Sequence, residues 1–434
     1  MDNVRYIRRD RYLQKLIDRK ENGLIKVITG IRRCGKSFLL FDIYSDYLLS
    51  QGVEQDQIIA ITLDDDQNAV YRDPAKLSEH VRSLIVDPAR MYYVFLDEVQ
   101  FAISREEMAG KTESIALYDV LNGLLRLKNV DIYVTGSNSK MLSTDVLTAF
   151  RGRGDVVEVY PLSFREYYDA VGGDKTDAFE EFALYGGMPL VLSKKTDEEK
   201  FKYLEGLFQE VYFKDISERY NIEYPDVLAE LTDDLCSSVG SLTNASKIAN
   251  TLTSVKKIKV SSTTVASYLE HLTESFLFRC ARRYDIRGKK YFEYPSKYYC
   301  ADIGLRNVKL NLRQQEETHI MENIIYNELV VRGYSVDVGV VESVEKDKNG
   351  KRHQVSREID FVVNKGAKRY YIQSALTISD SQKAEAELRP FMLTKDFFKK
   401  IIITKSSAKA WTDESGFLHL GLYEFLLNED SLFQ

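Results

Sequence analysis

Eight residues, Gly30-Ile31-Arg32-Arg33-Cys34-Gly35-Lys36-Ser37, constrain this chain most, because they fit G-x-x-x-x-G-K-[ST] in a strand–loop–helix context. The apolar run Leu24-Ile25-Lys26-Val27-Ile28-Thr29 precedes them, and a helix-like segment from Ser37 through Tyr44 follows. The loop's backbone N–H groups and the first helical turn converge on one point, forming an anion nest at the positive end of a helix dipole. Gly30 and Gly35 permit backbone angles that a side chain would block. A nucleoside triphosphate is the expected ligand, cradled by Gly30, Arg32, Arg33, Cys34, Gly35, Lys36, Ser37 and Phe38. Lys36 is expected to reach the β- and γ-phosphates as a point charge, and the Ser37 hydroxyl to take one position on Mg²⁺.

Binding alone does not hydrolyse a phosphoanhydride; that needs a second strand ending in carboxylates. Tyr92-Tyr93-Val94-Phe95-Leu96 is an unbroken apolar run, suited to a strand buried on both faces of a parallel sheet, and it stops at Asp97-Glu98. Asp97 is expected to hold Mg²⁺ through water, and Glu98 to polarise the attacking water. This strand is expected beside the first. A third run, Asp131-Ile132-Tyr133-Val134-Thr135, leads into Gly136-Ser137-Asn138-Ser139, where Asn138 is placed to sense the γ-phosphate or the lytic water. A turn rich in Gly, Ser and Asn would look the same for purely local reasons. Arg151 and Arg153, in Phe150-Arg151-Gly152-Arg153-Gly154, supply two guanidiniums for phosphoryl charge, in cis or from a neighbouring subunit, or else form a solvated basic loop.

A chain of 434 residues with 44% hydrophobic content suggests two to four globular domains. No stretch approaches the ~20 apolar residues of a membrane helix, and Met1-Asp2-Asn3-Val4-Arg5-Tyr6 lacks a signal-peptide core, so a cytoplasmic protein with no membrane contact is expected. Cys34, Cys236, Cys280 and Cys300 have no metal-ligand spacing and read as buried thiols.

Strands alternating with helices over residues 1–165 argue for one α/β nucleotide-binding domain built on a parallel sheet. From Tyr160-Pro161-Leu162-Ser163 onward the pattern turns to amphipathic helices, with Ser163 and Glu166 spaced for a capping box; residues 166–235 read as a helical lid or connector. Residues 236–310 offer helices near Asn244–Leu252 and Ser262–Ser275 and a hairpin around Gly288, the order of a winged helix. This window holds thirteen Lys or Arg against five Asp or Glu, a net of +8 in a chain whose overall charge is −6. Such segregation is the footprint of a phosphate-backbone binder, and DNA is the expected partner, contacted through residues 256–290. The second helix carries no Lys or Arg between Val260 and Phe278, which predicts backbone contacts with little base reading. Residues 311–434 form a further small α/β domain.

The double-arginine loop Gly30–Ser37, Leu96-Asp97-Glu98-Val99-Gln100, Thr135-Gly136-Ser137-Asn138-Ser139, Tyr160-Pro161-Leu162-Ser163-Phe164-Arg165-Glu166 and Tyr185-Gly186-Gly187-Met188-Pro189, with Lys297-Tyr298-Tyr299-Cys300-Ala301-Asp302-Ile303-Gly304-Leu305 in the second half, together resemble a family of prokaryotic AAA-superfamily ATPases. Its members carry a C-terminal winged-helix and nuclease-like region. The resemblance implies ATP binding and hydrolysis at Lys36, Ser37, Asp97 and Glu98, with Asn138 as sensor and Arg151 or Arg153 as arginine finger. The last segment looks like the PD-(D/E)xK nuclease fold, with an acid on a helix (Glu322 or Glu328) and Glu358-Ile359-Asp360 on a strand. Where E-x-K is expected, the chain reads Gln373-Ser374-Ala375, so the nuclease is expected to be inactive unless Lys365 or Lys368 has taken over. The leading expectation is an ATPase whose nucleotide state is coupled to DNA binding. A nucleotide-dependent protein-assembly switch is the alternative, an ATP-gated nuclease a third, and an arginine finger in trans would require a homo-oligomer.

Overall fold

The structure, a computed structural model, describes residues 7–108, 112, 114–137, 153–292, 295–313, 316–346, 351–377 and 388–433. The chain divides into two compact units, the first running to Pro161 and taking in Glu274–Phe276, the second made of Leu162–Thr273 and the residues from Leu277 onward. The first is a five-stranded sheet of β1 (Ile25–Thr29), β2 (Ile58–Thr62), β3 (Tyr92–Asp97), β4 (Val130–Gly136) and β5 (Gly154–Glu158), ordered β2-β3-β4-β1-β5. All neighbours are parallel. β1, β3 and β4 are buried along their whole length, the buried Lys26 of β1 pairing with the buried Asp131 of β4. Helix Pro74–Leu84 begins where the Asp73 side chain accepts the Ala75 N–H, and its Leu77 and Val81 pack with Val27, Val94, Leu96 and Leu121 in one core. Contrary to the sequence expectation, β3 is not beside β1, because β4 runs between them. An apolar run marks a strand as central without specifying its neighbours.

The second unit opens with helices. Phe164–Val171 starts at the expected capping box, Ser163 accepting the Glu166 N–H while Glu166 accepts from the Ser163 N–H. Lys175–Tyr185, Asp197–Gly206 and Pro225–Ser237 follow. β6 (Leu242–Thr243), helices Ala245–Ser254 and Ser262–Glu274, β7 (Phe278–Ala281), β8 (Arg283–Asp285), β9 (Lys290–Tyr291) and β10 (Ser296–Cys300) come next. β6, β10 and β7 make a three-stranded antiparallel sheet. Helix Glu317–Val331 precedes β11 (Ser335–Lys346), β12 (Arg352–Lys365), β13 (Lys368–Ala375), β14 (Lys399–Thr404), β15 (Trp411–Thr412) and β16 (Leu418–Gly421). These join an eight-stranded sheet ordered β15-β16-β14-β13-β12-β11-β8-β9.

The hairpin around Gly288 forms, yet it leaves its neighbours in sequence: β8 pairs in parallel with β11, Val338 opposite Arg283 and Val340 opposite Asp285. Gly339 makes room for it, since a Cβ there would lie 3.0 Å from Ile286 Cδ1 and 2.8 Å from Val362 Cγ2. Two motifs of the resemblance meet in a clasp. Asp302 caps helix Ile303–Lys309 through the Leu305 N–H and accepts the Gly187 N–H at 2.6 Å, while Asn307 donates to Ala183 O and Leu184 O. A Cβ on Gly304 would sit 2.0 Å from Tyr185 O, so only glycine closes the clasp. Cys34, Cys236 and Cys300 are buried as expected, whereas Cys280 is exposed, because it faces outward on β7. Among the described residues no helix is long and apolar enough to cross a membrane.

Candidate nucleotide site

The loop after β1 turns through left-handed backbone at Gly30 (φ 142°), Arg33 (φ 66°) and Gly35 (φ 98°). Gly30 is required by contact as well as angle, since a Cβ would come within 2.0 Å of Val159 O just past β5. Arg9 braces the loop from outside: its buried guanidinium donates to Cys34 O at 3.1 Å and to Tyr160 O at 2.6 Å. Nothing local in the sequence announced this, because its partners lie 25 and 151 residues away. Lys36, only 3% exposed, curls over the loop and donates to Gly30 O at 3.1 Å and Ile31 O at 3.2 Å.

The carboxyl ends of β3 and β4 meet this loop. Ser37 Oγ donates to Asp97 Oδ1 at 3.0 Å, spanning the place where β4 separates the two motifs. Thr135, at the end of β4 and fully buried, links both acids: its hydroxyl donates to Asp97 Oδ1 and accepts the Glu98 N–H at 3.0 Å. Its only advance signal was a hydroxyl residue ending an apolar strand. Glu98 adopts left-handed backbone (φ 52°, ψ 51°), uncommon for a residue with a side chain, and its carboxylate accepts from Gln100 Nε2. Burial raises the Asp97 carboxyl above its ordinary range, opposed by the Thr135 and Ser37 hydroxyls and reinforced by Glu98. Thr29 Oγ1, at the end of β1, and Ser137 Oγ, just past β4, are buried without a hydrogen-bond partner among the described residues.

The sheet therefore gathers Lys36, Ser37, Asp97 and Glu98 at one edge. Arg153 is not gathered with them. It is exposed and precedes β5, its carbonyl accepting the Ile25 N–H, so it stands at the opposite end of the strand pair from the loop. Asn138 and Arg151 lie outside the described residues.

The basic window is less available than its count implied. Lys297 and Arg306 are buried, Lys309 pairs with Asp233 at 2.7 Å, and Lys256 pairs with Glu230 at 3.0 Å. Lys257, Lys259, Arg282, Arg287, Lys289 and Lys290 are exposed. On helix Glu317–Val331, Glu328 is tied to Arg332 at 2.6 Å, whereas Glu322 shares Lys297 with Glu358 and Asp360 of β12. Neither lysine suggested for that site is near it: Lys365 Nζ donates to Arg332 O at 2.8 Å, and Lys368 sits 3.9 Å from the Phe433 ring centroid.

A family model described as an AAA domain matches residues 22–168, and one described as a domain of unknown function matches residues 176–316. An uncharacterized protein of Haemophilus influenzae is 34% identical over 404 residues, covering 92% of this chain and 93% of that protein. An uncharacterized protein of Methanocaldococcus jannaschii is 25% identical over 410 residues, covering 90% and 83%. Among solved structures, the Orc1 protein of Aeropyrum pernix in complex with DNA is 13% identical over 72% of this chain and 94% of that one, with a TM-score of 0.29.

Proposed function

This chain belongs to the family that includes the Haemophilus influenzae protein and carries an AAA domain, and from that premise we propose that it binds ATP with Mg²⁺ and hydrolyses it. One observation carries the reading: Ser37, Asp97, Thr135 and Glu98 form a continuous hydrogen-bonded set beside the loop that holds Lys36. The Thr29 and Ser137 hydroxyls at the same edge, buried without a hydrogen-bond partner among the described residues, fit a polar ligand. In this reading the loop N–H groups and Lys36 bind the phosphates, Ser37 and Asp97 hold Mg²⁺, and Glu98 orients the water. Mg²⁺, when bound, would neutralise charge on the phosphate oxygens. Asn138 serves as the sensor and Arg151 as a finger, while Arg153, given its place at the far end of β5, acts only on a neighbouring copy. The test is ATP turnover by Glu98→Gln, expected to bind ATP yet lose at least ~100-fold in turnover, beside Lys36→Ala, expected to lose binding. Wild-type turnover by Glu98→Gln would end the catalytic assignment.

We further read residues 166–235 as a lid or connector and 236–310 as a winged helix that meets DNA phosphates through the exposed Lys257, Lys259, Arg287, Lys289 and Lys290. Residues 311–434 we read as a nuclease-like domain without activity, supported by Gln373 and Ala375 on β13. A second reading, an ATP-dependent protein-assembly switch, is favoured by the hairpin's pairing into the large sheet and by the burial of Lys297 and Arg306.

A further inference from the structure

Three acids of the large-sheet region surround a lysine that belongs to a different sheet. Lys297 projects from β10, and its ammonium lies 2.7 Å from Glu358 Oε1, 2.9 Å from Glu322 Oε1 and 4.0 Å from Asp360 Oδ1. Glu322 is carried by helix Glu317–Val331, and the other two acids by β12. The lysine side chain is 5% exposed, against 13%, 33% and 12% for Glu322, Glu358 and Asp360. Tyr299, two residues along β10, adds a hydroxyl to Glu322 Oε1 at 2.7 Å, and the Ser374 N–H donates to Asp360 Oδ2 at 2.8 Å.

Carboxylates this close, Asp360 buried and Glu322 and Glu358 partly so, repel one another and lose hydration, and a cation among them offsets both costs. Burial and then Glu322 push the Asp360 carboxyl well above its ordinary range, with Lys297 opposing. Burial likewise works against the ammonium, yet Glu322, Asp360 and Glu358 outweigh it and hold Lys297 in its charged form. The ammonium donates to Glu322 and Glu358, while Asp360, at 4.0 Å, is held by charge without a hydrogen bond. As they stand, no three acids among the described residues are arranged to hold a metal ion.

We propose that Lys297 is the resident cation of this cluster, taking the place a divalent metal ion would occupy, so that it shuts the site to metals while pinning β10 to the helix and strand that bear the acids. The inference is independent of the nucleotide reading, since it concerns a separate set of residues. Lys297 thereby acts as an internal plug: its removal leaves the three acids without a compensating charge, which a divalent cation can supply once the side chains relax around it.

The test uses the full chain without nucleotide, in an Asp97→Ala background that disables the other metal position, titrated with Mn²⁺ and followed by electron paramagnetic resonance of free Mn²⁺ and by thermal melting. With Lys297 intact, Mn²⁺ should neither be taken up through Asp360 nor raise the melting temperature. Lys297→Ala should lower the melting temperature by about 5 °C and gain roughly one Mn²⁺ per chain that restores it, and adding Asp360→Asn should abolish the gain. Lys297→Met, which keeps the aliphatic stem, goes through the same titration in case the alanine variant does not fold; folding of either variant only with Mn²⁺ counts as the gain. Mn²⁺ uptake by the Lys297-intact chain that disappears with Asp360→Asn would overturn the proposal. So would a folded Lys297 variant that takes up no Mn²⁺.

Discussion

At the residue scale, Thr135 exerts leverage out of proportion to its size. Its hydroxyl satisfies both the Asp97 carboxylate and the Glu98 backbone. Thr135→Val keeps the shape and removes the bridge, so turnover should fall about 10-fold or more while nucleotide affinity changes little, as read by steady-state rates beside equilibrium binding. Asp97 brings a pH dependence. Because burial raises its pKa, its carboxylate becomes protonated at higher pH than an exposed aspartate would, and the ionised form is the one that can hold a metal. Mg²⁺-dependent nucleotide affinity should therefore weaken on acidification from a higher pH than an exposed aspartate would set, and Asp97→Asn should be weak and flat across the same range. If wild-type affinity is equally flat, Asp97 does not hold the metal. Lys36 with Ser37, and Asp97 with Glu98, were legible as candidates because each pair belongs to a short run of recognisable residue types. Thr135, Arg9 and Lys297 were not, since each takes its meaning from a partner brought to it by the fold.

At the element scale, the clasp between helices Lys175–Tyr185 and Ile303–Lys309 gives the two glycine motifs a physical reason. Asp302 is fully enclosed, and burial, only partly offset by the N–H groups of Gly187, Leu305 and Gly304, raises its pKa from 3.8 to about 6. A folded-state value above the unfolded one means that protonation favours folding. The contribution is fully present below about pH 4 and is lost as pH rises through about 6, a change of about 3 kcal/mol. Melting curves from about pH 4 to 7 should show this component in the wild type and not in Asp302→Asn; identical slopes would refute it. Gly304→Ala should destabilise by about 3 kcal/mol or more, because the new methyl meets backbone at Tyr185 rather than a movable side chain. Helix spans such as Ser262–Glu274 and the Ser163 cap were readable from periodicity and capping chemistry. The destination of the hairpin around Gly288 was not, since a short strand's sequence does not name the sheet it joins.

At the scale of the whole molecule, the two proposed roles differ in their response to salt. A phosphate-backbone contact through Lys257, Lys259, Arg287, Lys289 and Lys290 predicts duplex DNA binding that is tightest at low salt and falls steeply with added salt, with Lys257→Glu/Lys259→Glu weakening it regardless of sequence. No gel shift at low salt would leave the protein-assembly reading, and a change of mass with ATP would then be its signature. By itself the sequence determined the backbone form of the loop, the acidic end of a buried strand and the alternation that builds a parallel sheet, because those follow from short-range rules of backbone, charge and periodicity. Only the tertiary structure decided that β4 separates the loop strand from the acidic strand, that Arg153 lies at the far end of β5, and that a lysine counted as surface charge is buried among acids. Strand order, burial and ion pairing depend on contacts between residues distant along the chain, and composition counts a charge without saying whether water or a carboxylate surrounds it.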